Sequence, residues 1–108
     1  MENDKIKASH ILVMHKESKD SRSDISKDKA KKSIYSIHKK LIENKTTFGD
    51  AAVKHSDCSS GANGGGLGEF GRGMMVKPFE DVAFSLKVDE ISDPFESEFG
   101  YHIVKREK

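Results

Sequence analysis

Seven of the chain's nine glycines fall in one stretch, SDCSSGANGGGLGEFGRG at residues 56–73, together with its only cysteine. Glycine costs about 1 kcal/mol of helix stability relative to alanine, so a run this dense is a poor helix. What glycine permits instead is positive φ and close approach of one backbone to another. The stretch therefore reads as turns and a short strand around a concave surface, with helices on either side of it.

A length of 108 residues suits one domain, taken to span residues 5–108 after a disordered N-terminus at residues 1–4. With 34% hydrophobic residues the core is modest but adequate at this length. Nineteen basic residues stand against 18 acidic ones, a balance that argues against a general nucleic-acid or membrane surface. A single cysteine makes no internal disulfide and favours a reducing compartment. The opening MENDKIKASH has no apolar leader, and no run is long enough to cross a bilayer. A monomeric intracellular protein, cytoplasmic or nuclear, is the expectation.

In DKIKASHILVMH, Ala8, His10, Leu12 and Met14 alternate with Lys7, Ser9, Ile11 and Val13, as in a strand covered on both faces. KESKDSRSD has no apolar residue and reads as a solvated loop. Ser26 is placed to cap a helix, with Asp28 in its first turn. Ala30, Ile34, Ile37 and Leu41 then recur at helical spacing to an end near Asn44. Lys27, Lys29, Lys31, Lys32 and Lys39 make the other face, a solvated one. Thr47 caps a second helix on which Phe48, Ala51, Ala52 and His55 share a side. LGEFG is a short strand. Pro78 stands at the first position of a third helix, with Glu80 and Asp81 complementing its N-terminus and Phe79, Val82, Ala83 and Leu86 forming its stripe. EISDPFESEFGYHIVKRE reads as a hairpin whose Pro94 marks an edge or a bulge. On its last strand His102 and Val104 face one way, Tyr101 and Ile103 the other. The order β-α-α-β-α-β-β predicts an α+β domain with a small antiparallel sheet, its first and last strands adjacent at the centre.

GLGEFG, Gly66 to Gly71, matches the dinucleotide-binding G-x-G-x-x-G letter for letter. That fingerprint needs a strand before it and a helix N-terminus directly after it. Neither is present, so a nucleotide site is set aside. Cys58 is open to three readings: a nucleophile, a thiol in a binding site, or an inert filler. His10 and His102 are each readable as hydrogen-bonded core residues. They nevertheless face the same side of strands expected to be neighbours, within reach of a pairing with the thiol. One cysteine and two histidines without an acidic partner at ligand spacing do not make a zinc site. Met74 and Met75 precede the third helix in a loop, where deformable side chains suit a pocket.

Four blocks, SHILV, HSDCSS, GGGLGEFGRGMMVKPFEDVAFSL and SEFGYHIVKR, in that order and spacing resemble the parvulin-type peptidyl-prolyl cis–trans isomerases from Lys5 to Lys108. DCSS and the long first helix are similar to the Pin-type branch, FGYHI to the short bacterial parvulins. The expectation is a catalytic domain without a preceding WW domain. The resemblance implies the parvulin (FKBP-like) fold, a four-stranded antiparallel sheet surrounded by helices, with a short extra helix near residues 57–60. It implies rotation about Xaa-Pro bonds without cofactor or metal. It assigns His10, Cys58, Ser59, Ser60 and His102 to the catalytic wall, and Leu67, Phe70, Met75 and Phe79 to the pocket for the proline ring. Its expected partners are proline-containing peptides and proteins, phosphorylated on Ser or Thr before the proline. The phosphate would fall to Lys19 and Arg22, diluted by Asp20 and Asp24. Two positions depart from the Pin-type pattern: Met14 stands where a lysine is expected and Phe99 where a serine is. A parvulin isomerase indifferent to phosphate, and a non-catalytic proline-binding or chaperone module, are the alternatives; a cysteine hydrolase has no recognisable oxyanion site.

Overall fold

The computed structural model describes residues 5–19, 21 and 23–108. The expected N-terminal tail at residues 1–4, and Arg22, lie outside the described residues. In chain order the elements are β1 (Lys5–Val13), α1 (Lys27–Ile42), α2 (Phe48–His55), a short 3-10 helix (Ser59–Asn63), β2 (Gly66–Gly71), α3 (Lys77–Ser85), β3 (Phe95–Ser97) and β4 (Gly100–Arg106). The strands form one antiparallel sheet in the order β2-β1-β4-β3, with the first and last strands of the chain at its centre.

Apolar residues on both faces of β1 and β4 call for cover on both sides, and the helices supply it. Ile11, Val13, Tyr101 and Ile103 pack against Ala30, Ile34, Ile37 and Leu41 of α1 and against Phe48, Ala51 and Ala52 of α2. Ala8 and Val104 pack on the opposite face with Phe79 and Ala83 of α3, Leu86 and Phe70. Both long-range helices start where the caps predict: Ser26 Oγ accepts the Lys29 N–H at 3.2 Å, and Thr47 Oγ1 accepts that of Asp50 at 3.2 Å. α3 begins one residue earlier than the sequence suggested, so Pro78 is its second residue, a position whose N–H also has no partner within the helix. Glu80 alone is acidic in its first turn, and Val82 is half-buried rather than part of the buried stripe. Pro94 immediately precedes β3, the edge strand.

Past Ser9 the outer edge of β1 loses β2 as a partner and is satisfied by the loop after α2. His10 N–H donates to the Gly65 carbonyl at 2.9 Å, Leu12 N–H to Ser56 Oγ at 3.1 Å, and Met14 N–H to Asp57 Oδ2 at 2.8 Å. Asp57 N–H in turn donates to the Leu12 carbonyl at 2.6 Å. This strap fixes Cys58 beside the strand. Gly65 has φ +86°, and a Cβ there would collide with the His10 carbonyl, so the strap requires glycine on two counts. We expect Gly65→Ala to lower unfolding stability by about 2 kcal/mol or more, read as a fall in the urea midpoint with unchanged slope; a loss below a few tenths would mean the strap does not need this backbone shape.

Candidate active site

Antiparallel pairing places His10 opposite Val104 and Leu12 opposite His102. Residues directly opposite share a face, so both histidines rise from the side of the sheet that α3 covers. They meet there: His10 Nδ1 and His102 Nδ1 are 3.4 Å apart, and the rings stack with centroids 5.5 Å apart. Phe79 of α3 sets its edge against both, at 5.5 Å from His10 and 5.6 Å from His102, while Phe95 stacks on His102 at 5.1 Å.

The polar contacts link the pair to the β3–β4 hairpin. Burial, with the neighbouring His10 charge, pushes His102 down from an ordinary 6.5 to about 3, so it is neutral at physiological pH. A neutral imidazole has one N–H for its two partners, His10 Nδ1 and Ser97 Oγ, the latter at 2.6 Å. Ser97 Oγ already accepts the Phe99 N–H at 3.1 Å. Ser97 Oγ, His102 and His10 thus form one continuous chain of polar contacts. His10 Nε2 is buried and has no hydrogen-bond partner among the described residues.

Cys58 stands beside this ring. Its pKa is drawn down from an ordinary 9.0 to about 6, chiefly by His10, against the opposing effect of burial and with help from Ser60. Ser60 Oγ–H donates to the sulfur at 3.2 Å. The thiolate thus predominates at neutral pH.

A cleft of about 530 Å³ opens over these groups. His10, His102, Cys58 and Ser59 form its polar wall; Leu67, Met75 and Phe79 face it together with Leu12, Met14, Met74, Val76, Asp57 and Phe99. The structure therefore gathers eight of the proposed residues at one place, seven of them lining the cleft along its walls and Ser60 reaching it through the sulfur. Phe70 is a correction to the proline pocket: it is buried behind Phe79, ring centroids 6.0 Å apart, and does not line the cleft. Lys19 lies at the rim rather than in the cleft, its Nζ 5.8 Å from the Phe99 ring centre and 3.4 Å from Glu98 Oε2. Arg22, the other half of the expected phosphate fork, lies outside the described residues. Sequence reasoning missed Ser97 and Phe95. Their signal was the hairpin register, which sets Phe95 opposite His102 and keeps Ser97 on the same face two residues on. Among the described residues no group of three His, Cys, Asp or Glu side chains is placed to hold a metal ion.

Residues 10–108 match the rotamase family model, described as the PPIC-type PPIase domain. The chain is 43% identical over 116 residues to the peptidyl-prolyl cis–trans isomerase Pin1 of Digitalis lanata, covering 98% of each. It is 46% identical to peptidyl-prolyl cis–trans isomerase pin1 of Schizosaccharomyces pombe over 94% of this chain and 62% of that one. Among solved structures, the peptidyl-prolyl isomerase ESS1 from Candida albicans superposes with a TM-score of 0.95 at 28% identity, over 100% of this chain and 66% of that one.

The acidity of Cys58 is open to measurement. Iodoacetamide should alkylate it with a rate that is half-maximal near pH 6. In His10→Leu that midpoint should rise toward the ordinary thiol range, and a wild-type midpoint above pH 8 would remove the activating role of the ring. The same shift acts on stability. The folded pKa is depressed, so between pH 6 and 9 the unfolded chain binds more protons, and the stabilisation is complete above pH 9 and lost as pH falls through 6.

Proposed function

The chain belongs to the PPIC-type peptidyl-prolyl isomerases, and we propose that the cleft between β1, β4 and α3 is where it rotates the Xaa-Pro bond. The family membership makes it a rotamase of the parvulin type acting on proline-containing peptides and proteins. The observation that carries the assignment of the site is that one cleft is lined both by polar groups, Cys58, Ser59 and the two histidines, and by apolar ones, Leu67, Met75 and Phe79.

The barrier to turning an amide bond is roughly 18–20 kcal/mol, because the twisted state loses resonance. Spontaneous prolyl isomerisation takes on the order of ten to a hundred seconds at 25 °C. A catalyst needs only to hold the twisted amide better than either planar isomer. About 5 kcal/mol of such preference gives a gain of several thousandfold. Leu67, Met75 and Phe79 hold the pyrrolidine ring, and the apolar surround removes the water that favours the more polar planar amide. The preceding carbonyl turns past Cys58 and Ser59. An ordinary thiol would serve there as a weak donor; at a pKa of about 6, Cys58 is mainly anionic and serves through its charge. A negative sulfur near the carbonyl oxygen disfavours the charge-separated resonance form, in which that oxygen is most negative, and so weakens the C–N double bond. His10 holds the thiolate and His102 positions His10, with no proton transferred.

Preference for phosphorylated serine or threonine before the proline is the finer reading that the resemblance brings. Its described support in this chain is Lys19 at the rim, in an exposed ion pair with Glu98 whose strength is about 0–1 kcal/mol, weak enough for a phosphate to displace.

Exchange spectroscopy on an alanine-proline peptide tests the proposal. Wild type should accelerate cis–trans exchange, whereas a pure binder would shift peaks without speeding exchange. Cys58→Ser should lower the rate by about tenfold, the scale of one electrostatic contact of 1.4 kcal/mol, and keep the rest. Complete loss would point to an attacking thiolate and a covalent route instead.

A further inference from the structure

Across the sheet from the cleft, a second cavity of about 320 Å³ lies between α1 and α2. Its floor is Ile37 and Ala51, both buried in the core that the two helices build on their face of the sheet. The turn between the helices makes its rim cationic. Lys40 stands in the last turn of α1, and Asn44 then takes φ +58°, a left-handed conformation that asparagine tolerates. Lys45 N–H closes the reversal by donating to the Lys40 carbonyl at 2.9 Å, which returns Lys45 to the neighbourhood of Lys40. Lys54 joins them from α2.

Three ammonium groups thus line one small cavity against a single carboxylate, Asp50. Lys45 is in an exposed ion pair with Glu43 at 3.3 Å. Lys40 and Lys54 form none among the described residues, although Asp50 precedes Lys54 by the four positions that favour helical pairing. Their combined field is felt at His55, on the cavity wall: burial first, then Lys54 and Lys40, push its pKa below the ordinary 6.5. Two cations from different helices therefore act on one point. With His55 neutral, three lysines against one aspartate leave the lining at a net +2. A phosphate monoester carries about −1.5 to −2 at pH 7 and three strong acceptor oxygens. Each lysine offers three donors on a stem that can turn to meet them. The volume is at the lower end of the roughly 300–1,000 Å³ usual for small-molecule sites. We propose that this cavity is a second ligand site, which takes a small phosphate-bearing anion between Lys40 of α1 and Lys54 of α2. Such an anion ties the two helices together directly before Ser56 and Asp57, where α2 runs into the strap beside β1.

NMR titration of the full chain with sodium pyrophosphate, at ionic strength held constant with sodium chloride, tests the site. Amide shifts should follow a single-site curve and concentrate at Lys40, Lys45, Thr46, Lys54 and His55. The titration midpoint of the His55 ring should rise at saturation, because a bound anion favours the imidazolium. Lys40→Gln combined with Lys54→Gln should weaken binding by about tenfold or more. Arginine at both positions keeps the charge and should keep binding within a few fold. Both lysines are exposed and neither lines the cleft, so the glutamine variant should fold and should accelerate exchange of the alanine-proline peptide as wild type does. A parallel titration with glycerol phosphate separates the sources: tighter binding than pyrophosphate identifies an organic monoester, weaker binding an inorganic anion. Shifts that grow without saturating, or a curve unchanged in the glutamine variant, would show only the general attraction of a lysine-rich surface and overturn the site. A His55 midpoint unmoved at saturation, or saturating shifts at Cys58 and Phe99 instead, overturns its placement.

Discussion

The register between β1 and β4 decides what faces the cleft. With Leu12 set against His102 and His10 against Val104, both imidazoles project toward α3 and the aliphatic residues between them project toward α1. Because side chains alternate, a slip of one residue would bury both histidines against Ile34 and Ile37 and turn Ile11 and Ile103 into the site. The register is held from both sides: α1 and α2 accept only the branched face, and Phe79 with Ala83 fits the other. Packing energy and site geometry are thus secured by the same alternation.

The second constraint is the strap that completes the outer edge of β1. Ser56, Asp57 and Gly65 satisfy backbone groups that β2 is too short to reach. An open edge at this point would be both a stability loss and an invitation to pair with another chain. In closing it, the strap also delivers Cys58 next to His10. The glycine stretch serves this end: it allows the backbone to come within contact of the His10 carbonyl before turning into β2.

Much of this was legible in the residues. Ser26 and Thr47 fixed two helix starts because a cap is a local contact between a side chain and an N–H three residues on. The alternation in HILVM and YHIV revealed which side chains share a face, and so brought His10 and His102 together before any coordinates. Depth was not legible. Phe70 and Phe79 are equally aromatic and belong to the same core cluster, yet Phe79 lines the cleft and Phe70 supports it from behind, a distinction of layers that no periodicity carries. Nor was the acidity of Cys58, since the ring that causes it lies 48 positions earlier in the chain, Cys58 against His10. Ser97 escaped notice because its partnership depends on the two-residue turn at Glu98 and Phe99, and the helical boundary at Pro78 moved by one because caps without a side-chain bond leave little trace.

Two imidazoles inside a domain this small come at an energetic disadvantage. Each loses water, and only Ser97 and the contact between the rings restore hydrogen bonds; His10 Nε2 has none among the described residues. Leaving a buried polar atom unpaired costs about 1–3 kcal/mol. A pair of leucines at these positions would pack against Phe79 and Phe95 without that cost. The penalty falls on the one nitrogen beside the thiol, and that ring is the main cause of the thiol's lowered pKa. The cost of burying that nitrogen is thus met beside the one side chain whose acidity the same ring sets.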